Sequence, residues 1–271
     1  MKSQPISSLV LPVGLVLVAG YMILPTLFVV WLSFSTDDVL RFPPNLFSWR
    51  WYEEFFTSEA WNAALIRTAI VGAMATALAT VVGSAAAFAV ARSRLRIGPL
   101  VEMFAIAPLV VPVIVIAAGG YSLFVDMGLI GSNWGLACMH ALLGVPYVYL
   151  IVSAGLTRTD PNIELAAVSL GADRWRAVRD VTIPTILPAI ITGALFAFLT
   201  SLDEVVVTSF LSGSTSPTLP VRIFSSLHLA ASPVIAAVST LQIVVALVLL
   251  AQLVLLRRWQ ESRTQTAAET A

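Results

Sequence analysis

Arg67, Asp203 and Glu204 are charged side chains that stand inside long apolar runs of this 271-residue sequence. Charge in hydrocarbon is expensive, so such groups face a cavity, a counter-charge or a passing solute. Asp203 and Glu204 are therefore candidates to line a path for a cationic or zwitterionic solute, with Arg67 beside them. The competing role is structural, an Asp203–Arg67 or Glu204–Arg222 pair that holds helices together. His140 and His228 are the only histidines and Cys138 is the only cysteine. No Cys/His/carboxylate spacing supports a metal site, so none is expected. His140 reads as a hydrogen-bonded packing residue and Cys138 as a small buried apolar group. No serine has the Gly-x-Ser-Gly setting and partner base of an intramembrane protease. A Gly-x-x-x-x-Gly-Lys-[Ser/Thr] phosphate cradle is excluded because Lys2 is the only lysine. If ATP powers this protein, another chain hydrolyses it.

The elements that position these residues must cross a bilayer. The composition is 58% hydrophobic and 11% charged, whereas soluble domains carry about 25% charge. A span needs about 20 apolar residues, and six runs qualify: 9–34, 62–91, 99–124, 134–156, 184–211 and 234–256. Backbone groups in lipid must pair internally, so all six read as helices. The first run is too long for the core of a cleaved signal peptide. Arginines cluster on one side, at Arg92, Arg94, Arg96, at Arg158, Arg174, Arg176, Arg179, and at Arg257, Arg258, Arg263. The positive-inside rule makes that side, and both termini, cytoplasmic. On the other side, an aromatic stretch at 49–56 suits an interfacial segment or a binding surface. In the second span Gly72, Thr76, Thr80 and Ser84 recur every four residues, a small-residue face for close packing. Asp203 and Glu204 lie about 24–30 Å along the fifth span at ~1.5 Å per residue, in its outer half.

The connection between the fourth and fifth spans carries the strongest signal. Asp160-Pro161 is a helix start, with a capping side chain followed by proline at the first position. Glu164 sits near the positive end of the helix dipole. Gly171 ends the helix, since glycine takes a left-handed conformation cheaply. Arg174, Arg176 and Arg179 follow, and Pro184 and Pro188 open the next span. By physics alone this is a short polar-faced helix between two spans, equally an ordinary interfacial loop.

The run Ala166-Ala167, three residues, then Gly171-Ala172, with Ile183-Pro184 and Pro188 downstream, resembles the "EAA" loop of ABC importer permeases of the type I, binding-protein-dependent class. Ser201–Val206, Thr218–Phe224, Ala231-Ser232-Pro233 and Ala237–Thr240 are similar to spermidine/putrescine-type permeases. The resemblance implies an all-α polytopic membrane bundle of about six helices. In it 1–271 form one permease domain, 157–183 the cytoplasmic coupling-helix loop, and 258–271 a polar cytoplasmic tail. It implies that Glu164, Ala166, Ala167, Leu170, Gly171, Ala172 and Trp175 couple the chain to an ATPase. It also implies partners: a dimer of ATP-binding subunits carrying ATP and magnesium, a second, related permease chain, and an extracytoplasmic solute-binding protein. No cofactor on this chain and no nucleic-acid partner are expected. The place would be the bacterial inner membrane and the cargo a small organic solute such as a polyamine or an amino-acid-like compound. One departure stands out: the motif's glutamate directly precedes the two alanines, but here that position is Leu165 and the acid is Glu164. Consecutive helical residues point about 100° apart, so Glu164 is not expected to replace it. An ion-coupled secondary carrier is the alternative, although its usual internal repeat is not visible between the two halves.

Overall fold

A computed structural model describes residues 7–39, 41, 43–44, 47–92, 97–213, 217–229 and 232–269, without the side chains of 7–11, 161, 229 and 256–269. Among them every regular element is helical: α1 Ser7–Leu32, α2 Arg50–Thr57, α3 Glu59–Arg92, α4 Gly98–Val110, α5 Val113–Asp126, α6 Asn133–Thr157, α7 Pro161–Ser169, α8 Arg174–Ala177, α9 Ile183–Leu202, α10 Val206–Leu211, α11 Leu219–Leu229 and α12 Val234–Glu269. A π-helical turn, Val178–Thr182, joins α8 to α9. Among the described residues five helices are long and apolar enough to cross a membrane, and α4 and α5 meet the same measure only together, as a bent pair. The chain forms two compact units, Met1–Asn62 with Ile223–Val245, and Ala63–Arg222 with Ala246–Ala271.

In the first unit, α2 is fastened to the end of α1. The Trp51 indole N–H donates to the Ser35 carbonyl at 2.6 Å, and the Tyr52 and Ser33 hydroxyls share a hydrogen bond of 2.7 Å. The Phe34 ring packs against Trp49 and Tyr52.

In the second unit, α6 is the axis. Nearly three-quarters of its apolar window is buried, whereas none of α1's is. It packs on α9 along a small-residue seam. A Cβ on Gly193 would lie 3.0 Å from the Val148 Cα, and one on Gly144 would lie 3.0 and 3.1 Å from Ala197 and Ala79. Without a hydrophobic drive in lipid, close backbone approach of this kind holds helices together. Val145, Val148, Val152, Leu156 and Ile186 fill the rest of this core. The exposed stripe of α6 carries Trp134, Leu142 and Leu150, and Cys138 falls on it. The expectation of a buried Cys138 is thus corrected, because four-residue spacing puts it on the outward face.

Two of the six expected spans are interrupted. The run 99–124 bends by 106° between α4 and α5. Pro112 has no N–H and biases Val111 toward extended backbone, and both residues are extended, with ψ of 128° and 131°. The run 184–211 breaks after α9, so Asp203 and Glu204 lie between two helices and not inside one.

Candidate functional site

The connection from α6 to α9 is built by its own polar side chains. The Asp160 carboxylate accepts from the Asn162 N–H at 2.9 Å, capping α7. Gly171 has φ +95°, a conformation that a β-carbon penalises. The Asp173 carboxylate accepts from the Arg176 N–H at 2.8 Å and starts α8. From there the helix continues without a loop into the α9 span. Pro184 cannot donate to the Asp180 carbonyl, and the Ile183 N–H reaches back five residues to Val178, giving the π turn.

Glu164 secures this connection. Its Oε2 accepts from the Arg92 Nε at 3.1 Å and from the Thr182 hydroxyl at 3.0 Å. One half-buried carboxylate thus ties α7 to the end of α3 and to the π turn. The 100° step between neighbours turns Glu164 inward and Leu165 outward. Glu164 therefore bridges where no bridge was expected. The outward face is apolar: Leu170 is 89% and Trp175 68% exposed, and Leu165, Ala166 and Gly171 are exposed beside them, with Ala167 and Ala172 half-buried. Residues of this kind are normally covered, and an exposed apolar patch marks a contact surface.

Arg67, Glu204 and Asp203 have different surroundings. Arg67 donates from Nε to the Asn133 side chain at 3.1 Å and from Nη2 to the Gly131 carbonyl at 2.7 Å. Glu204 is buried, and its two oxygens accept the Val207 and Thr208 N–H groups at 2.8 and 2.9 Å. It caps α10, satisfying donors that the helix break exposes. His140 closes this cluster: Nδ1 pairs with the Ser201 hydroxyl at 2.7 Å, Nε2 with the Thr208 hydroxyl at 2.9 Å, and Nε2 stands 3.5 Å from Glu204 Oε2. His140 on α6 thereby clamps both sides of the α9–α10 break. Asp203, in contrast, is exposed at the end of α9. Of the two acids, Asp203 has the accessibility a path residue needs and Glu204 has the contacts of a structural cap. No group of three or more His, Cys, Asp or Glu residues among those described forms a metal site.

Sequence reasoning did not find Arg92 and Thr182 as partners of Glu164, nor Ser201 and Thr208 as partners of His140. Their separations of 72, 18, 61 and 68 residues leave no local signal. The α4–α5 break did have a signal, the Val111-Pro112 pair.

Known proteins can be set beside this geometry. The family described as "Binding-protein-dependent transport system inner membrane component" matches residues 56–261. The chain is 35% identical to the Haemophilus influenzae spermidine/putrescine transport system permease protein PotC, over 88% of this chain and 93% of that one. It is 33% identical to the Escherichia coli putrescine transport system permease protein PotI, over 83% of each. A chain from the crystal structure of a bacterial ABC transporter involved in the import of the acidic polysaccharide alginate superposes with a TM-score of 0.70. The two are 15% identical, and the superposition covers 93% of this chain and 96% of that one. That last likeness shows the fold alone.

Proposed function

The chain belongs to the binding-protein-dependent transport system inner membrane components, and from that premise we propose that residues 157–183 dock it to an ATPase so that it imports a polyamine-like cation. It is the permease subunit of an ATP-binding-cassette importer, a multi-pass protein of the bacterial inner membrane and not an enzyme. Such a permease works with ATP-binding subunits, a second permease and a periplasmic binding protein. In our reading the ATP-binding subunits form a dimer that holds ATP and magnesium, and the second permease is a related but different chain. Both termini and the α6–α9 connection face the cytoplasm, as the arginine asymmetry favours.

The observation that carries the coupling role is the exposed apolar face around Leu170 and Trp175, on a connection braced by Glu164 and continuous with a span. Closure of the ATPase dimer would pull α7 and α8, and the π turn would pass the movement to α9 with no flexible joint to absorb it. Support for a cationic cargo comes from the spermidine and putrescine systems to which PotC and PotI belong and from the exposed Asp203.

Purification in mild detergent from the native membrane tests the coupling role. An ATP-binding subunit is expected to copurify and to be lost with Gly171→Val. Recovery of the chain alone under every detergent condition would transfer the weight to an ion-coupled carrier. Asp203→Asn is expected to lower polyamine uptake and leave the complex assembled.

A further inference from the structure

Arg92 ends α3 half-buried, and only part of its guanidinium is used. Nε donates to Glu164 Oε2 at 3.1 Å, whereas Nη2 is sealed from solvent and meets no acceptor among the described residues. Glu164 mirrors this. Its Oε2 takes both bonds, from Arg92 and from the Thr182 hydroxyl at 3.0 Å, and Oε1 takes no hydrogen bond among the described residues.

Buried polar groups are nearly always paired, and one that is not calls for a reason. The orphan is more costly when it carries charge. Nε and Nη2 of one guanidinium donate in parallel, the fork that fits both oxygens of a carboxylate. Arg92 and Glu164 are thus one bond short of a fork, with the spare donor and the spare acceptor on the same two side chains. The position of α7 decides whether they meet. Glu164 is on its inward face, toward Arg92 and the buried Thr182, while Leu165 is exposed on its outward face and Leu170 and Trp175 continue that apolar surface. Nη2 lies on the buried side of the pair. A push on the outward face therefore moves Glu164 toward Nη2. α7 can respond as a unit, since it is only nine residues long, with Pro161 at its start and Gly171 at φ +95° just past its end.

We propose that Arg92 is a positioning residue for the coupling surface, one that strengthens ATPase docking without touching the ATPase. In the free chain it holds α7 by a single bond. When an ATP-binding subunit covers the outward face, Glu164 seats in the full fork, with Nε and Nη2 each on one carboxylate oxygen. The second charge-assisted bond forms only in the docked state, so it adds to docking affinity. By linkage the docked subunit stabilises the fork to the same extent. Lysine supplies a point charge and no fork, so Arg92→Lys keeps a bridge to Glu164 and loses the second bond. The proposal deepens the reading that residues 157–183 dock an ATPase and rests on it.

Titrating the ATP-binding subunit onto the permease pair in nanodiscs, after its own ATPase has been stripped off, tests this. Arg92→Lys is expected to weaken binding about tenfold, worth about 1.4 kcal/mol, and to leave thermal unfolding of the stripped permease unchanged. Glu164→Gln removes the same fork and should weaken binding to a similar degree, and the double variant should bind no more weakly than either single one. Unchanged affinity with Arg92→Lys, a loss confined to the unfolding temperature of the stripped permease, or full additivity of the two substitutions would overturn the proposal. If Arg92→Lys does not fold, Arg92→Gln keeps one donor, lacks the fork and carries the same test. Leu170→Asp separates the two levels of the argument. Binding that Leu170→Asp abolishes and Arg92→Lys leaves intact would sink the fork alone. Binding that Leu170→Asp leaves intact would sink the docking reading and the fork with it.

Discussion

Glu164 in the α6–α9 connection and Glu204 in the α9–α10 break both accept hydrogen bonds from more than one partner, in different surroundings. The side chains of Glu164 and Arg92 are 21% and 26% exposed, and apolar residues around them face outward. Those of Glu204 and His140 are 6% and 1% exposed, and the donors are buried N–H and hydroxyl groups. A half-exposed ion pair is screened and can be remade as its elements move. A buried cap cannot open without leaving donors unpaired, at a cost of about 1–3 kcal/mol each. The contrast separates a joint suited to transmit motion from a clamp suited to hold a broken helix in one shape.

The sharpest way to break that contrast is the same substitution at both places. Glu204→Leu is expected to destabilise the solubilised protein by about 3 kcal/mol, since the Val207 and Thr208 N–H groups lose their acceptor, and thermal unfolding reads this directly. Equal losses from Glu164→Leu and Glu204→Leu would erase the distinction. His140→Ala should cost about 1–2 kcal/mol by orphaning the Ser201 hydroxyl, while the Thr208 hydroxyl keeps its bond to Glu204. Combined with Glu204→Leu it should fall short of additivity by about 1 kcal/mol, as expected for residues of one network, and full additivity in a double-mutant cycle would deny the clamp. Gly171→Val puts a branched side chain at φ +95°, at a cost of about 1–2 kcal/mol. Protease sensitivity should rise in the connection and nowhere else.

Glu164→Gln is expected to change stability by less than about 1 kcal/mol, as for other partly exposed pairs. Its effect belongs in transport, with ATP hydrolysis by the complex continuing while uptake falls. A variant that keeps uptake in step with hydrolysis would remove Glu164 from the joint. The smallest effect on the fold is that of Leu170→Asp, within about 0.5 kcal/mol for an exposed position. That variant should still lose the ATP-binding subunit in copurification, and retention would show that the apolar face has another use.

Composition and run length determined the membrane class and the number of apolar spans, because a bilayer demands about 20 apolar residues per crossing wherever they occur. Local chemistry determined the connecting helix as well. Asp160-Pro161 and Gly171 act through their own backbone, and those signals span a few residues. Pro112 belongs to the same class, and the bend it causes was legible in principle. The tertiary fold alone decided what each charge does. Glu164 meets Arg92 and Thr182, and His140 meets Ser201, Thr208 and Glu204, only when helices far apart in the chain pack side by side. Adjacent acids at 203 and 204 look equivalent in sequence. The break between α9 and α10 turns one outward and spends the other on capping, because buried N–H groups must find an acceptor and the nearest carboxylate supplies it.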